Sequence, residues 1–125
     1  MARIIILDDN KTGSAFLKMI LARYRYCVSR TVNIQEAIHP PSHAAPHLVL
    51  INYAFGNHRG WEVFNYLKRI AGHIPALVYV LEQVNGANAD WIVKAVQAVL
   101  GEVKHRGAAA WPRRFEPPRI QGVAG

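Results

Sequence analysis

Cysteine, acidic residues and long apolar runs are what this sequence is short of. It has one cysteine, Cys27. A single thiol excludes an internal disulfide and a thiolate metal site, and Cys27 reads as a small apolar residue in a strand. Asp and Glu number 8 against 15 Lys and Arg, for a net charge of +7. No run approaches the roughly 20 apolar residues of a membrane span, so no membrane contact is expected. The opening MARIIILDDN lacks the long apolar core and small-residue cleavage site of a signal peptide, and a cytoplasmic protein is expected. No glycine-rich loop follows the first apolar run, where a dinucleotide-binding fold would carry one. No Ser-His-Asp or Cys-His arrangement has a supporting motif, and no enzymatic activity is expected. The histidines, His39, His43, His47, His58, His73 and His105, fall in loops or at element ends. No two share a helix at metal-binding spacing, so they do not read as a metal centre.

What is present is a core. The 125 residues are 51% hydrophobic, enough for one packed domain. The organising stretch is His47 to Gly60, HLVLINYAFGNHRG. Its apolar run Leu48-Val49-Leu50-Ile51 reads as a strand buried on both faces, as in a parallel sheet. Asn52 stands at the carboxyl end of that strand, where open α/β sheets place ligands and chemistry. A glycine-containing loop follows, and a helix is expected from Trp61 to Ala71 with Val63, Phe64, Leu67 and Ile70 inward.

The rest of the chain alternates. Arg3 to Leu7 reads as a buried strand ending in Asp8-Asp9-Asn10. A helix is expected from about Thr12 to Tyr24, with Phe16, Met19, Ile20 and Arg23 at helical spacing beside Leu17 and Leu21. Tyr26 to Val32 reads as an exposed strand near an edge, and Asn33 caps a short helix from Ile34 to Ile38. Pro40, Pro41 and Pro46 enforce a loop. Pro75 to Leu81 reads as a fourth strand. Asn88 to His105 reads as an amphipathic helix with Ile92, Val96, Val99, Leu100 and Val103 on one face. Trp91, Ala95 and Ala98 broaden that face, enough to serve a partner as well as the sheet. Gly107 to Trp111 reads as a short fifth strand that Pro112 cuts off. Alternation of this kind predicts an α/β fold: a doubly wound parallel sheet of about five strands with helices on both faces. Within it Asp8, Asp9 and Asn52 converge at the carboxyl ends of inner strands. The expected organisation is a domain over residues 1–111 and a basic, Pro- and Gly-containing tail over 112–125. Residues 1–105 carry a charge of +4 and residues 106–125 a charge of +3, so basic density peaks in the tail.

These residues resemble the receiver domain of two-component response regulators, a CheY-like family with the flavodoxin-like three-layer sandwich. The likeness covers residues 2 to about 82. It rests on the acid pair Asp8-Asp9, the HLVLIN strand, the spacing from Asn52 to Gly60, and the helix start GWEVFNYLKR, taken together. It implies that Asn52 occupies the position of the phosphoaccepting aspartate. It implies that Val80 occupies the switch position, where the family has a hydroxyl, and that Gly56 replaces a loop proline. Two alignments compete for the family's lysine. One selects Arg114, in GAAAWPRRF. The other reads GANADWIVK as the fifth-strand motif and selects Lys94. The second leaves only Glu82 to Ala89 for a crossover that needs about a dozen residues, so Arg114 is preferred. Either way the C-terminal part departs from the family layout.

The resemblance further implies a Mg²⁺ site built from Asp8, Asp9 and the carbonyl of Ala54, with Asp9 as the direct ligand. An amide has no anionic oxygen for phosphoryl attack. With two carboxylates in place of three, Mg²⁺ would bind weakly or not at all. The favoured expectation is therefore a pseudo-receiver, a signalling module that acts through protein–protein contact without phosphorylation, as a homodimer or with another protein. A working phosphoacceptor that uses another side chain is the second reading. A nucleic-acid-binding accessory using the basic tail is the third. It has least support, because no DNA-binding motif is present and Trp61, Trp91 and Trp111 suit packing better than base stacking.

Overall fold

The computed structural model describes residues 1–40, 44–80 and 86–106, with the backbone alone for 86–88 and 102–106. Four strands form one parallel sheet: β1 (Arg3–Leu7), β2 (Cys27–Thr31), β3 (Leu48–Asn52) and β4 (Ala76–Tyr79). The order is β2-β1-β3-β4. Five helical segments connect or cover them: α1 (Lys11–Ala22), α2 (Ile34–Ile38), the single turn α3 (Phe55–His58), α4 (Gly60–Ile70) and α5 (Gly86–Arg106). No helix among the described residues is long and apolar enough to cross a membrane. The expected fifth strand at Gly107–Trp111, the tail from Pro112, and Arg114 lie outside the described residues.

The sheet forms because β1 and β3 are apolar at successive positions and so can be covered on both faces. All five residues of β3 are buried. Side chains alternate between two cores. Ile4, Ile6, Leu48, Leu50, Leu77 and Tyr79 meet α1 and α5 on one face. Ile5, Leu7, Val49, Ile51, Ala76 and Val78 meet α2 and α4 on the other. β2, paired among the described residues with β1 alone, is the exposed strand that its mixed sequence predicts, and Cys27 is exposed on it.

Three inward faces differ from expectation. In α1 the buried residues are Gly13, Ser14, Leu17 and Leu21, while Met19 is 48% exposed. The inward stripe is thus Leu17 and Leu21, continued towards the first turn by Gly13 and Ser14, whose hydroxyl donates to the Asn10 carbonyl at 2.7 Å. In α4, Val63 and Leu67 are buried, Phe64 is half-buried, and Ile70 in the last turn is 46% exposed. In α5, Ala95 is buried with Ile92, Val93, Val96 and Val99. Trp91 and Ala98 are half-buried, and Trp91 packs against the core, so much of the broad apolar face is used within the domain. The stretch GANADWIVK, which one alignment reads as a strand motif, is helical, and Lys94 lies exposed on α5.

Candidate functional site: a self-satisfied acidic pocket

Asp8 follows the last residue of β1 and Asn52 closes β3. Both strand ends share one end of the sheet because Leu7 pairs with Ile51 in parallel register. The Asp8 backbone is tied to the neighbouring strand. Its N–H donates to the Thr31 carbonyl at 3.2 Å, and its carbonyl accepts from Arg30 Nε at 3.0 Å.

The Asp8 carboxylate is fully buried. Its Oδ1 accepts the Asn10 N–H at 2.8 Å. Its Oδ2 accepts Asn52 Nδ2 at 3.1 Å and the Tyr79 hydroxyl at 2.5 Å. Two neutral side-chain donors and one backbone amide thus stand where a cation would otherwise offset the charge. The donors are themselves positioned. Asn52 Oδ1 accepts the Ala54 N–H at 2.7 Å, which fixes which end of the amide faces Asp8. Tyr79 pairs with Asn52 across the β3–β4 ladder, so both side chains leave the same face of the sheet. Burial pushes the Tyr79 phenol well above its ordinary range, and the Asp8 charge adds to this, so the hydroxyl stays protonated and donating. No buried side-chain nitrogen or oxygen among the described residues lacks a partner.

Asp9 is exposed, and its Oδ2 accepts the Gly56 N–H at 3.1 Å. That amide belongs to an unusual turn. Gly56, Asn57 and His58 all have positive φ, at 62°, 65° and 66°. The result is one turn of left-handed helix, closed by His58 N–H to the Ala54 carbonyl at 3.1 Å and Arg59 N–H to the Phe55 carbonyl at 2.9 Å. Left-handed geometry costs an L-residue roughly 1–2 kcal/mol; glycine avoids the penalty and asparagine lessens it. The turn folds over Asp9 and delivers the chain to Gly60. There a side chain is impossible without movement: a Cβ would lie 2.5 Å from the Asn52 carbonyl oxygen and 2.7 Å from Tyr53 Cα.

The structure therefore brings Asp8 and Asn52 together and sets Asp9 beside them against the loop. The third expected Mg²⁺ ligand, the Ala54 carbonyl, already accepts from His58. The donor set does not fit a divalent cation. Asp8 has both oxygens engaged by three donors, Asp9 has one oxygen engaged, and among the described residues no third carboxylate completes the shell. Among the described residues no three His, Cys, Asp or Glu side chains gather around a common point. Val80, just past β4, is buried and offers methyl groups only. The hydroxyl that β4 does supply is that of Tyr79, one position earlier. Sequence reasoning missed Tyr79, although it is the one residue of ALVY with a polar atom. No protein-family model matches this chain, and no curated protein matches it in sequence.

Proposed function

We propose that this chain is a receiver-like module of the flavodoxin-like class whose phosphoryl site has been replaced by a permanent internal hydrogen-bond network, and that it signals by protein contact without phosphorylation. The observation that carries this reading is the Asp8 carboxylate held by the Asn52 amide, the Tyr79 hydroxyl and the Asn10 N–H. Phosphoryl transfer in such a pocket needs an anionic attacking oxygen and a metal to offset charge on the transferring group. Asn52 supplies no anion, and Asp8 is already engaged. A switch needs a hydroxyl free to move towards the phosphoryl group. Val80 has none, and that of Tyr79 is committed to Asp8.

Strand order, the convergence of Asp8 with Asn52, and the close approach at Gly60 support a receiver-like origin. A fifth strand after α5 belongs to the same reading. Contact with another protein, or with a second copy, would run along β4 and α5, where Trp91 is half-buried.

The test is treatment with acetyl phosphate, or with beryllofluoride, in the presence of Mg²⁺. Intact mass should show no phosphoryl adduct, and amide NMR spectra should not change. Labelling at an aspartate would remove the pseudo-receiver reading and install a working phosphoacceptor in its place.

A further inference from the structure

The opposite end of the sheet holds a second feature. Around the amino ends of β1, β3 and β4 lies a cleft of about 970 Å³, within the size of a small-molecule site. Its apolar surface comes from Pro46, Ile74, Pro75 and Leu100, and Tyr26 adds an aromatic ring. Its polar groups are Arg3, Arg25, His47, His73 and Gln97, and among the described residues no carboxylate lines it.

The basic groups are set there by the fold. Arg3 opens β1. Its N–H donates to His47 Nδ1 at 2.9 Å, and its Nε donates to the Ala45 carbonyl at 2.9 Å. These contacts fix the stem and leave the two terminal guanidinium nitrogens without a partner among the described residues. Arg25 sits in the turn after α1 with φ of 67°, a left-handed conformation that arginine rarely adopts. The turn is closed by Tyr24 N–H to Leu21 and Arg25 N–H to Ala22, at 3.0 Å each. Strain kept at a cleft lip, on a cation that forms no ion pair among the described residues, is the kind found at ligand sites.

The geometry points to a binding site for a small organic anion with an apolar or ring-shaped body, the head group on Arg3 and Arg25 and the body against Tyr26, Ile74 and Leu100. Guanidinium groups suit carboxylate and phosphate heads, which they grip with paired N–H donors. A mostly apolar wall with a few placed cations selects an amphipathic anion over an inorganic one. The site is separate from the Asp8 pocket and does not depend on how that pocket is interpreted.

The test uses the full chain and two fluorescent probes with nearly the same rings: 8-anilinonaphthalene-1-sulfonate, and N-phenyl-1-naphthylamine, which lacks the sulfonate. The sulfonate should bind saturably at one site, at least tenfold more tightly than the amine. Amide shifts should move at Arg3, Tyr26, His47 and His73 and not at Asp8. Arg25→Asn keeps a residue tolerant of positive φ and should weaken binding about tenfold, the loss expected for one charge-assisted hydrogen bond. Lys11→Gln, at the far end of the sheet, should leave binding unchanged. Competition with a nucleoside monophosphate and with octanoate separates a phosphate head from a carboxylate head, and displacement by either supports the site. Equal affinity for the two probes, indifference to Arg25→Asn, shifts centred elsewhere, or displacement by neither competitor would overturn it.

Discussion

The phenol of Tyr79 and the carboxylate of Asp8, 71 positions apart in the chain, meet inside the core in a 2.5 Å hydrogen bond. Neither group can turn to water, so removing one leaves the other buried and under-partnered. Tyr79→Phe should lower stability by about 2 kcal/mol, the usual loss for a buried hydrogen bond to a charged group. Urea unfolding checks it. A loss within a few tenths of a kcal/mol would mean that Asp8 does not need this donor.

Asn52→Asp sets a second carboxylate about 3 Å from Asp8, where Asn52 Nδ2 now donates at 3.1 Å. At neutral pH the like charges should cost about 2–4 kcal/mol. Mg²⁺ should return part of that loss in the variant and leave the melting temperature of the unaltered protein where it was. Thermal melts with Mg²⁺ and with EDTA distinguish the cases. A Mg²⁺-dependent shift in the unaltered protein would contradict the self-satisfied pocket.

The left-handed turn gives a comparison between two variants. His58→Ala keeps the positive φ and loses the edge-on contact with Tyr53, whose ring centre lies 5.8 Å away. His58→Gly loses the same contact and relieves the backbone. Unfolded-chain entropy offsets some of that relief, so the glycine variant should be the more stable of the two by about 1 kcal/mol. The reverse order would show that residue 58 is not left-handed in solution.

Gly60→Ala should be far more damaging than an alanine normally is at a helix start. The new Cβ meets backbone atoms of Asn52 and Tyr53, which cannot rotate away. A loss of about 3 kcal/mol is expected from overpacking. Amide shifts should be centred on residues 52–54.

His47 carries a pH prediction. Burial and then the charge of Arg3 lower its pKa below 6.5, and Nδ1 accepts a hydrogen bond that protonation would remove. Between the folded and unfolded pKa values the unfolded chain binds more protons. The contribution is therefore complete above pH 6.5 and is lost as pH falls. His47→Asn keeps an acceptor and cannot titrate. Its stability should fall less than that of the unaltered protein between about pH 7 and pH 5, by urea midpoints.

Much of this could be read from residue patterns. LVLIN has no polar residue before Asn52, so it reads as a strand covered on both sides, and the Asp8–Asn52 meeting follows from the alternation of strands and helices. The inward face of α1 could not be read, because Phe16-Met19-Ile20 and Leu17-Leu21 fit helical spacing equally well. The buried face continues through Gly13 and Ser14, small residues that a hydrophobic pattern does not register. Tyr79 was hidden because an aromatic in an apolar strand counts as core, and only the fold reveals that its hydroxyl reaches Asp8. The left-handed turn is spelled by Gly56 and Asn57 as a turn, but its hand continues into His58, which carries no such preference.

The span of the Asp8–Tyr79 bond also bears on the order in which the molecule is assembled. Asp8 is 44 positions from Asn52 and 71 from Tyr79, so both partners arrive by long-range closure, each with an entropic toll that grows with the logarithm of the loop. The β1-α1-β2 unit can form from nearby residues, but in that unit Asp8 has only the Asn10 amide. Until β3 and β4 dock, a carboxylate is held at the edge of an apolar surface with most of its donors missing. Early collapse around it is therefore disfavoured, and docking of β3 and β4 is what makes burial of the acid tolerable. The Tyr79 phenol thus completes the pocket only once β4 is in place, across the longest loop of the three contacts to the carboxylate.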